Sequence, residues 1–135
     1  MFYSNDRDQL RQFYYDTWQK HLSDQPLIDL EKQILAVILE HPEYQKILKD
    51  KNIDANQPNP FMHMGLHLAV RDQVALNQPP GIKKTFQTLL AKGYSEHDAE
   101  HKIMDILAEQ IWLAANEQKP LDMDVYLENL NKALR

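Results

Sequence analysis

Apolar residues recur every three to four positions along most of the chain, and proline or glycine stands where this spacing stops. Such a period is typical of amphipathic α-helices whose apolar faces form a core. It predicts six helical segments: residues 4–22, 27–41, 59–77, 81–92, 95–117 and 123–134, with PEYQKILKD as a short extension after Pro42. The stretch KNIDANQPNP, which ends in the start of the third segment, has no period and predicts the longest loop.

Residues that favour helix ends stand at several of these boundaries. Asn59 followed by Pro60 is a favoured cap and first helical residue. Ser95 with Asp98 three positions later predicts a variant of the capping box, and Gly93 predicts a helix stop. At 135 residues the chain fits one domain, so we predict an all-α fold: a compact single-domain bundle of about five to six helices over residues 1–135.

Two pairs of histidines share one spacing within this pattern. His63 and His67 stand four residues apart near the start of the third predicted helix, and His97 and His101 do so in the fifth. Residues at this spacing lie on one helix face with Cβ atoms about 5–6 Å apart. Each face continues into apolar positions, so both pairs are expected to point toward the core rather than into water.

The positions of the two pairs predict that they meet. Both fall within the first two turns or so of their helices, which run parallel in an up-down-up arrangement. Parallel neighbours about 8–10 Å apart would bring the four imidazoles around a common point. If the second predicted helix packs antiparallel to the third, its end brings Glu40, His41 and Glu43 to the same region. This expectation depends on the helices being neighbours.

Imidazole ligands without thiolates suit zinc, iron, copper and nickel and do not distinguish them; zinc or iron is the ion that we expect. We therefore predict that His63, His67, His97 and His101 bind a transition metal. Asp105, one turn after His101, is a further candidate as a ligand or as a group that orients one. Three more residues are candidates of the same lower priority as Asp105, as ligands or as groups that orient one: His41, Glu40 and Glu100.

Composition and charge narrow the class of protein. Hydrophobic residues make up 43% and charged residues 26%, as in ordinary globular domains. Cysteine is absent, which excludes disulfides, thiolate metal sites and thiol nucleophiles. The net charge of -5 argues against a nucleic-acid partner, and no apolar run or secretory leader indicates a membrane or an export route. We predict a cytoplasmic protein, with a protein partner or homo-oligomer left open.

The segments that contain the two histidine pairs resemble those of a known protein family. The segments NPFMHMGLHLAVRDQ and SEHDAEHKIMDILAEQIWLA resemble the bacterial family catalogued as domain of unknown function 1841, as does the ending YLENLNKAL. The family's pattern has the form N-P-x-x-H-x-x-x-H, then a Gln, then H-x-A-x-H, then a Trp. It is matched here by Asn59, Pro60, His63, His67, Gln73, His97, Ala99, His101 and Trp112. The resemblance makes an accidental arrangement less expected and implies no catalytic role.

Three classes of function stay open on the sequence. The first is a small metal-binding protein with a structural or sensing role. The second is an interaction module in which the histidines form a neutral hydrogen-bond network. The third is a metal-dependent hydrolase or redox enzyme, for which the metalloprotease pattern HExxH is missing because Met64 follows His63 and Asp98 follows His97.

Overall fold

The computed structural model describes residues 7–50 and 59–134, and every regular element within these ranges is helical. The described elements are α1 (Arg7–Leu22), α2 (Asp29–Leu39), a 3-10 turn (Pro42–Tyr44), α3 (Gln45–Asp50), α4 (Pro60–Leu76), α5 (Ile82–Ala91), α6 (Glu96–Glu117) and α7 (Met123–Ala133). The predicted all-α fold is confirmed. In the part of the chain that is described, seven α-helices replace the five to six predicted.

The additional helix follows from Pro42. The sequence predicts that Pro42 interrupts the second helix and that a short helical extension follows, and His41 indeed leaves helical geometry with φ −128° and ψ 70°. The residue before a proline is driven out of the α region by the proline ring, so α2 ends and a 3-10 turn leads into a separate α3. The predicted loop KNIDANQPNP falls mainly on residues 51–58, which lie outside the described residues.

The predicted helix ends are confirmed by their hydrogen bonds and backbone angles. The Asn59 side-chain oxygen accepts a hydrogen bond of 3.0 Å from the backbone N–H of Phe61 at the start of α4. The Ser95 hydroxyl accepts one of 3.0 Å from the backbone N–H of Asp98 at the start of α6. Gly93, with φ +99°, takes the left-handed conformation that follows many helix ends. The Asn59 and Ser95 caps fix where α4 and α6, the helices that carry the histidine pairs, begin.

Backbone contacts divide the chain into two compact units, one up to Leu68 and the other from Ala69 onward. The division falls within α4, so this single helix contributes its first part to one unit and its last part to the other. A single domain over residues 1–135 stays a prediction. Within the described ranges, none of the helices is both long enough and apolar enough to span a bilayer.

The first unit is held by a core shared by α1, α2, α3 and the start of α4. Tyr14 packs edge-on against Phe61, with ring centroids 5.5 Å apart. The members of this core are buried apolar side chains: Tyr14, Trp18, Ile34, Val37, Ile38, Leu48, Phe61, Met64 and Leu68. Each fully buried large side chain contributes about 1.5–3 kcal/mol through loss of water contact. This packing holds α2 and the start of α4 together in one core.

The second unit contains the end of α4 with α5, α6 and α7. Its buried side chains include Ile82, Leu89, Ile103, Leu107 and Leu130. Tyr126 is fully buried, and its hydroxyl donates a 2.7 Å hydrogen bond to the side-chain oxygen of Gln73. That bond ties α7 to the last part of α4.

An ion pair within the first unit makes its stability depend on pH. Glu31 accepts hydrogen bonds from the Lys20 ammonium at 2.8 Å and from the backbone N–H of Ile28 at 3.0 Å. These bonds, the one from Lys20 most of all, lower the pKa of the Glu31 carboxyl. A carboxyl with a lowered pKa stabilises the fold above its unfolded pKa of about 4.3, and this contribution is lost as pH falls through the folded-state pKa.

The variant Glu31→Gln is accordingly expected to lower the Tm by about 3–5 °C at pH 7, corresponding to the loss of about one charged hydrogen bond. The difference from the wild type should narrow below about pH 4, because both proteins are then uncharged at this position. Thermal unfolding followed by circular dichroism from pH 3 to pH 7 measures it. A difference independent of pH would contradict the assignment to this ion pair.

Candidate metal centre

Three histidines come together in the first unit. His41 follows the end of α2, and His63 and His67 lie in the first turns of α4. One ring nitrogen of each lies within 4.8 Å of those of the other two. In the sequence prediction, His41 is a less favoured ligand than His63 and His67. It is expected near them only if the second predicted helix packs antiparallel to the third. The structure brings it beside that pair.

The two histidines on α4 face each other along one side of the helix. Their Nε2 atoms are 3.2 Å apart, and their ring centroids are separated by 4.9 Å. A tetrahedral metal with nitrogen bonds of 2.0–2.1 Å separates its ligand nitrogens by about 3.3 Å. The spacing of this pair therefore suits two ligands of one metal ion without a change of helix geometry.

The orientation of His41 is fixed by the backbone of α2. Its Nδ1 lies 2.8 Å from the carbonyl oxygen of Val37, one turn earlier. A carbonyl oxygen only accepts hydrogen bonds, so Nδ1 must donate, and in the neutral imidazole the lone pair is then on Nε2. Metal-binding histidines commonly donate from the second ring nitrogen in this way. His41 thus has the tautomer that a metal ligand requires.

The three rings are close and well shielded from water. The His41 ring centroid lies 5.0 Å from that of His63 and 4.7 Å from that of His67. His67 is completely buried, His41 is 3% exposed, and His63 is half-buried. Buried ring nitrogens are costly unless they are hydrogen-bonded or bind a cation. The cluster can meet this requirement by sharing protons among its rings or by holding a metal ion.

An aromatic side chain that the sequence prediction did not include completes the surroundings of the cluster. Tyr44 stacks on His41 with ring centroids 5.2 Å apart and an interplanar angle of 8°. Its centroid is 6.1 Å from that of His63, in an edge-on arrangement. Burial raises the pKa of the Tyr44 phenol, and the neighbouring Glu43 carboxylate raises it further, so the phenol is uncharged at neutral pH.

The other predicted histidine pair belongs to the second unit. His97 and His101 are half-buried in the first turns of α6, and their ring centroids are 4.2 Å apart. The two side chains therefore share one face of the helix, as their spacing indicated. Their role as metal ligands stays a prediction.

The predicted carboxylate candidates have different surroundings. Glu100 is buried on α6, and its two carboxylate oxygens accept hydrogen bonds of 3.0 and 3.1 Å from Nε of Arg71 on α4. Asp105 and Glu40 are exposed to solvent. Glu100 is thus engaged with the Arg71 cation of its own unit, and its role at a metal site stays a prediction.

Comparison with known proteins identifies the family rather than an activity. A family model described as Domain of unknown function (DUF1841) matches residues 6–132. This range includes the segments of both histidine pairs and His41. No curated protein matches the chain, and no solved structure does.

Proposed function

The chain belongs to the family described as Domain of unknown function (DUF1841), and from this premise we propose that it binds one transition-metal ion through histidines. His41, His63 and His67 provide three ligands, and His101 is proposed as the fourth. The observation that carries the proposal is the approach of three imidazole nitrogens to within 4.8 Å of one another in the first unit.

The donor set fits a metal better than a hydrogen-bonded core. Hydrogen bonds between neutral imidazoles pair one donor nitrogen with one acceptor nitrogen, whereas a cation can accept the lone pairs of three clustered imidazoles at once. The lone pair of His41 is on Nε2, and the Nε2 atoms of His63 and His67 have the separation that two ligands of a tetrahedral ion require.

His101 is proposed as the fourth ligand from the sequence prediction alone, in which it shares one helix face with His97 and joins the His63 and His67 pair. His97, one turn before His101, stays a predicted ligand that the same experiment tests.

Zinc or iron is the expected ion, because an all-nitrogen set suits both and thiolates are absent. A closed set of four imidazoles would make the site structural, and three with a water would leave a position open for chemistry. We propose the closed set, with a structural or sensing role in a cytoplasmic protein. The compact single-domain bundle of the sequence prediction belongs to the same proposal.

The second candidate function is an interaction module in which the histidines form a hydrogen-bond network. The 3.2 Å separation between the Nε2 atoms of His63 and His67 also suits a hydrogen bond between a donor ring and an acceptor ring. In that case the rings would stabilise the fold without a metal. The two candidates differ in metal content, which is directly measurable.

The test is elemental analysis of untagged protein purified after growth with zinc and iron. We expect about one metal ion per chain in the wild type, and less than about a tenth of that in His67→Ala, because loss of one buried ligand opens the site. The metal content of His101→Ala and of His97→Ala, measured in parallel, shows which of these two histidines is a ligand. The matched control is His21→Ala, because His21 packs against Trp18 on α1 rather than in the cluster.

Metal-free wild-type protein from metal-replete cells, which also fails to bind zinc or iron added in vitro, would overturn the proposal and favour the hydrogen-bond network. Equal metal content in the wild type and in His67→Ala would place the ion elsewhere. A loss in His21→Ala as large as that in His67→Ala would attribute the effect to folding rather than to the site.

A further inference from the structure

Tyr44 is the aromatic side chain that lies against the three-histidine cluster. We infer that Tyr44 is a positioning residue that holds the His41 ring in its metal-binding orientation and thereby sets the affinity of the site. This inference rests on the proposed metal binding by His41, His63 and His67. Tyr44 itself donates no ligand atom in this scheme.

Short-range contacts fix the Tyr44 ring against His41. The 3-10 turn brings the two residues together, because the backbone N–H of Tyr44 donates a 2.9 Å hydrogen bond to the carbonyl oxygen of His41. Pro42 has a restricted φ and narrows the conformations of the turn between them. The two rings are nearly parallel as a result, with an interplanar angle of 8°.

Two contacts on different parts of the His41 ring restrict its rotation. The carbonyl oxygen of Val37 fixes Nδ1 from the side of α2, and the Tyr44 ring covers one face. A ligand held in this way loses less rotational freedom when the metal binds, so binding is stronger than for a free imidazole. Losing a residue that orients a ligand typically weakens metal binding about 10–100-fold.

The contacts of Tyr44 with His41 and His63 are contacts between aromatic rings. The Tyr44 centroid is 6.1 Å from the His63 centroid as well as 5.2 Å from that of His41. Tyr44→Phe retains this surface, whereas Tyr44→Leu retains apolar volume without a planar face. The pair of variants therefore separates stacking from hydrophobic packing.

The test is a titration of the metal-free full chain with cobalt(II), with affinity measured by competition against a chelator and geometry by the visible absorption spectrum. Tyr44→Leu is expected to bind about 10-fold more weakly than the wild type, with a changed spectrum. Tyr44→Phe is expected to agree with the wild type within about 2-fold. Tyr15→Leu is the matched control, because Tyr15 packs edge-on against Phe61 in the same unit.

Equal affinity of Tyr44→Leu and the wild type would overturn the positioning role and leave the metal site intact. An equal loss in Tyr15→Leu and Tyr44→Leu would also overturn it, because general loosening of the unit would then explain both. Wild-type protein that binds no cobalt would defeat the metal site itself and this inference with it. If Tyr44→Leu does not fold, Tyr44→Met provides the same comparison, and wild-type affinity in that variant counts against the inference.

Discussion

Removal of the proposed metal ion by a chelator is expected to lower the Tm of the wild-type protein by about 10–15 °C. An ion that binds only the folded chain stabilises it by about 4 kcal/mol when its free concentration is 1,000 times its Kd. In a domain of this size each kcal/mol corresponds to roughly 3–4 °C. Calorimetry of the metal-loaded and chelated protein, followed by return of zinc, measures the effect.

Histidine variants show whether that stabilisation comes from the three-histidine cluster. The Tm of His41→Ala and of His67→Ala is expected to change little on chelation, because neither variant retains the metal. His21→Ala should behave like the wild type, since His21 lies outside the cluster. An unchanged wild-type Tm after complete removal of the metal would show that the ion does not stabilise the fold.

The variant Glu100→Ala is expected to reduce the free energy of unfolding by about 2–3 kcal/mol. Its carboxylate is 9% exposed and engages the guanidinium of Arg71, which is 29% exposed. Removal of one partner from a buried pair costs about 3–5 kcal/mol, because the other charge keeps its desolvation cost. Because water reaches part of the Arg71 side chain, we expect a cost at or below the lower end of this range. Urea unfolding monitored by circular dichroism measures it.

An exposed ion pair on α7 provides the control for Glu100→Ala. Nζ of Lys132 lies 3.6 Å from Oε1 of Glu128, and both side chains are mostly exposed. Glu128→Ala should therefore reduce the free energy of unfolding by less than about 0.5 kcal/mol. Replacing the buried pair by Arg71→Met with Glu100→Leu should recover part of the loss. Unchanged metal content in Glu100→Ala would agree with a structural role, whereas loss of metal from a folded variant would make Glu100 a ligand or its direct support.

The helices were largely predictable because their ends are determined by local chemistry. Asn59 with Pro60, Ser95 and Gly93 act through hydrogen bonds or backbone angles within a few residues. The sequence alone therefore indicated where α4 and α6 begin. It also indicated the interruption at Pro42, but it described the residues that follow only as a short extension and not as a 3-10 turn leading into a separate α3.

The cluster was predictable only in part because packing between helices has no local pattern. The spacing of His63 and His67 determines that they share a face of α4, and their contact follows from helix geometry. The approach of His41 depends on how α2 and α4 pack in the first unit, which the sequence prediction could state only as a condition. Tyr44 was missed because its stack on His41 requires the 3-10 turn.

The partner of Glu100 shows the same limit. Arg71 is 29 positions away along the chain, and no periodicity relates two residues at that separation. On sequence spacing alone, Glu100 is a weaker candidate ligand, because it lies slightly off the helix face that His97 and His101 share. A carboxylate next to a histidine on a helix can bind a metal ion or a basic side chain. Only the packed structure shows that Arg71 is within hydrogen-bonding distance of Glu100.

The distance along the chain between His41 and the α4 pair has a consequence for the unfolded state. A metal bound to His41 and His63 would join two points of the chain that α3 and the segment after it separate. Unlike a disulfide, which this protein without cysteine lacks, such a link would not persist in the unfolded chain, where the intervening loop must be closed before both histidines can reach one ion. For a loop of roughly 20 residues, that closure costs about 3 kcal/mol, which favours release of the ion on unfolding.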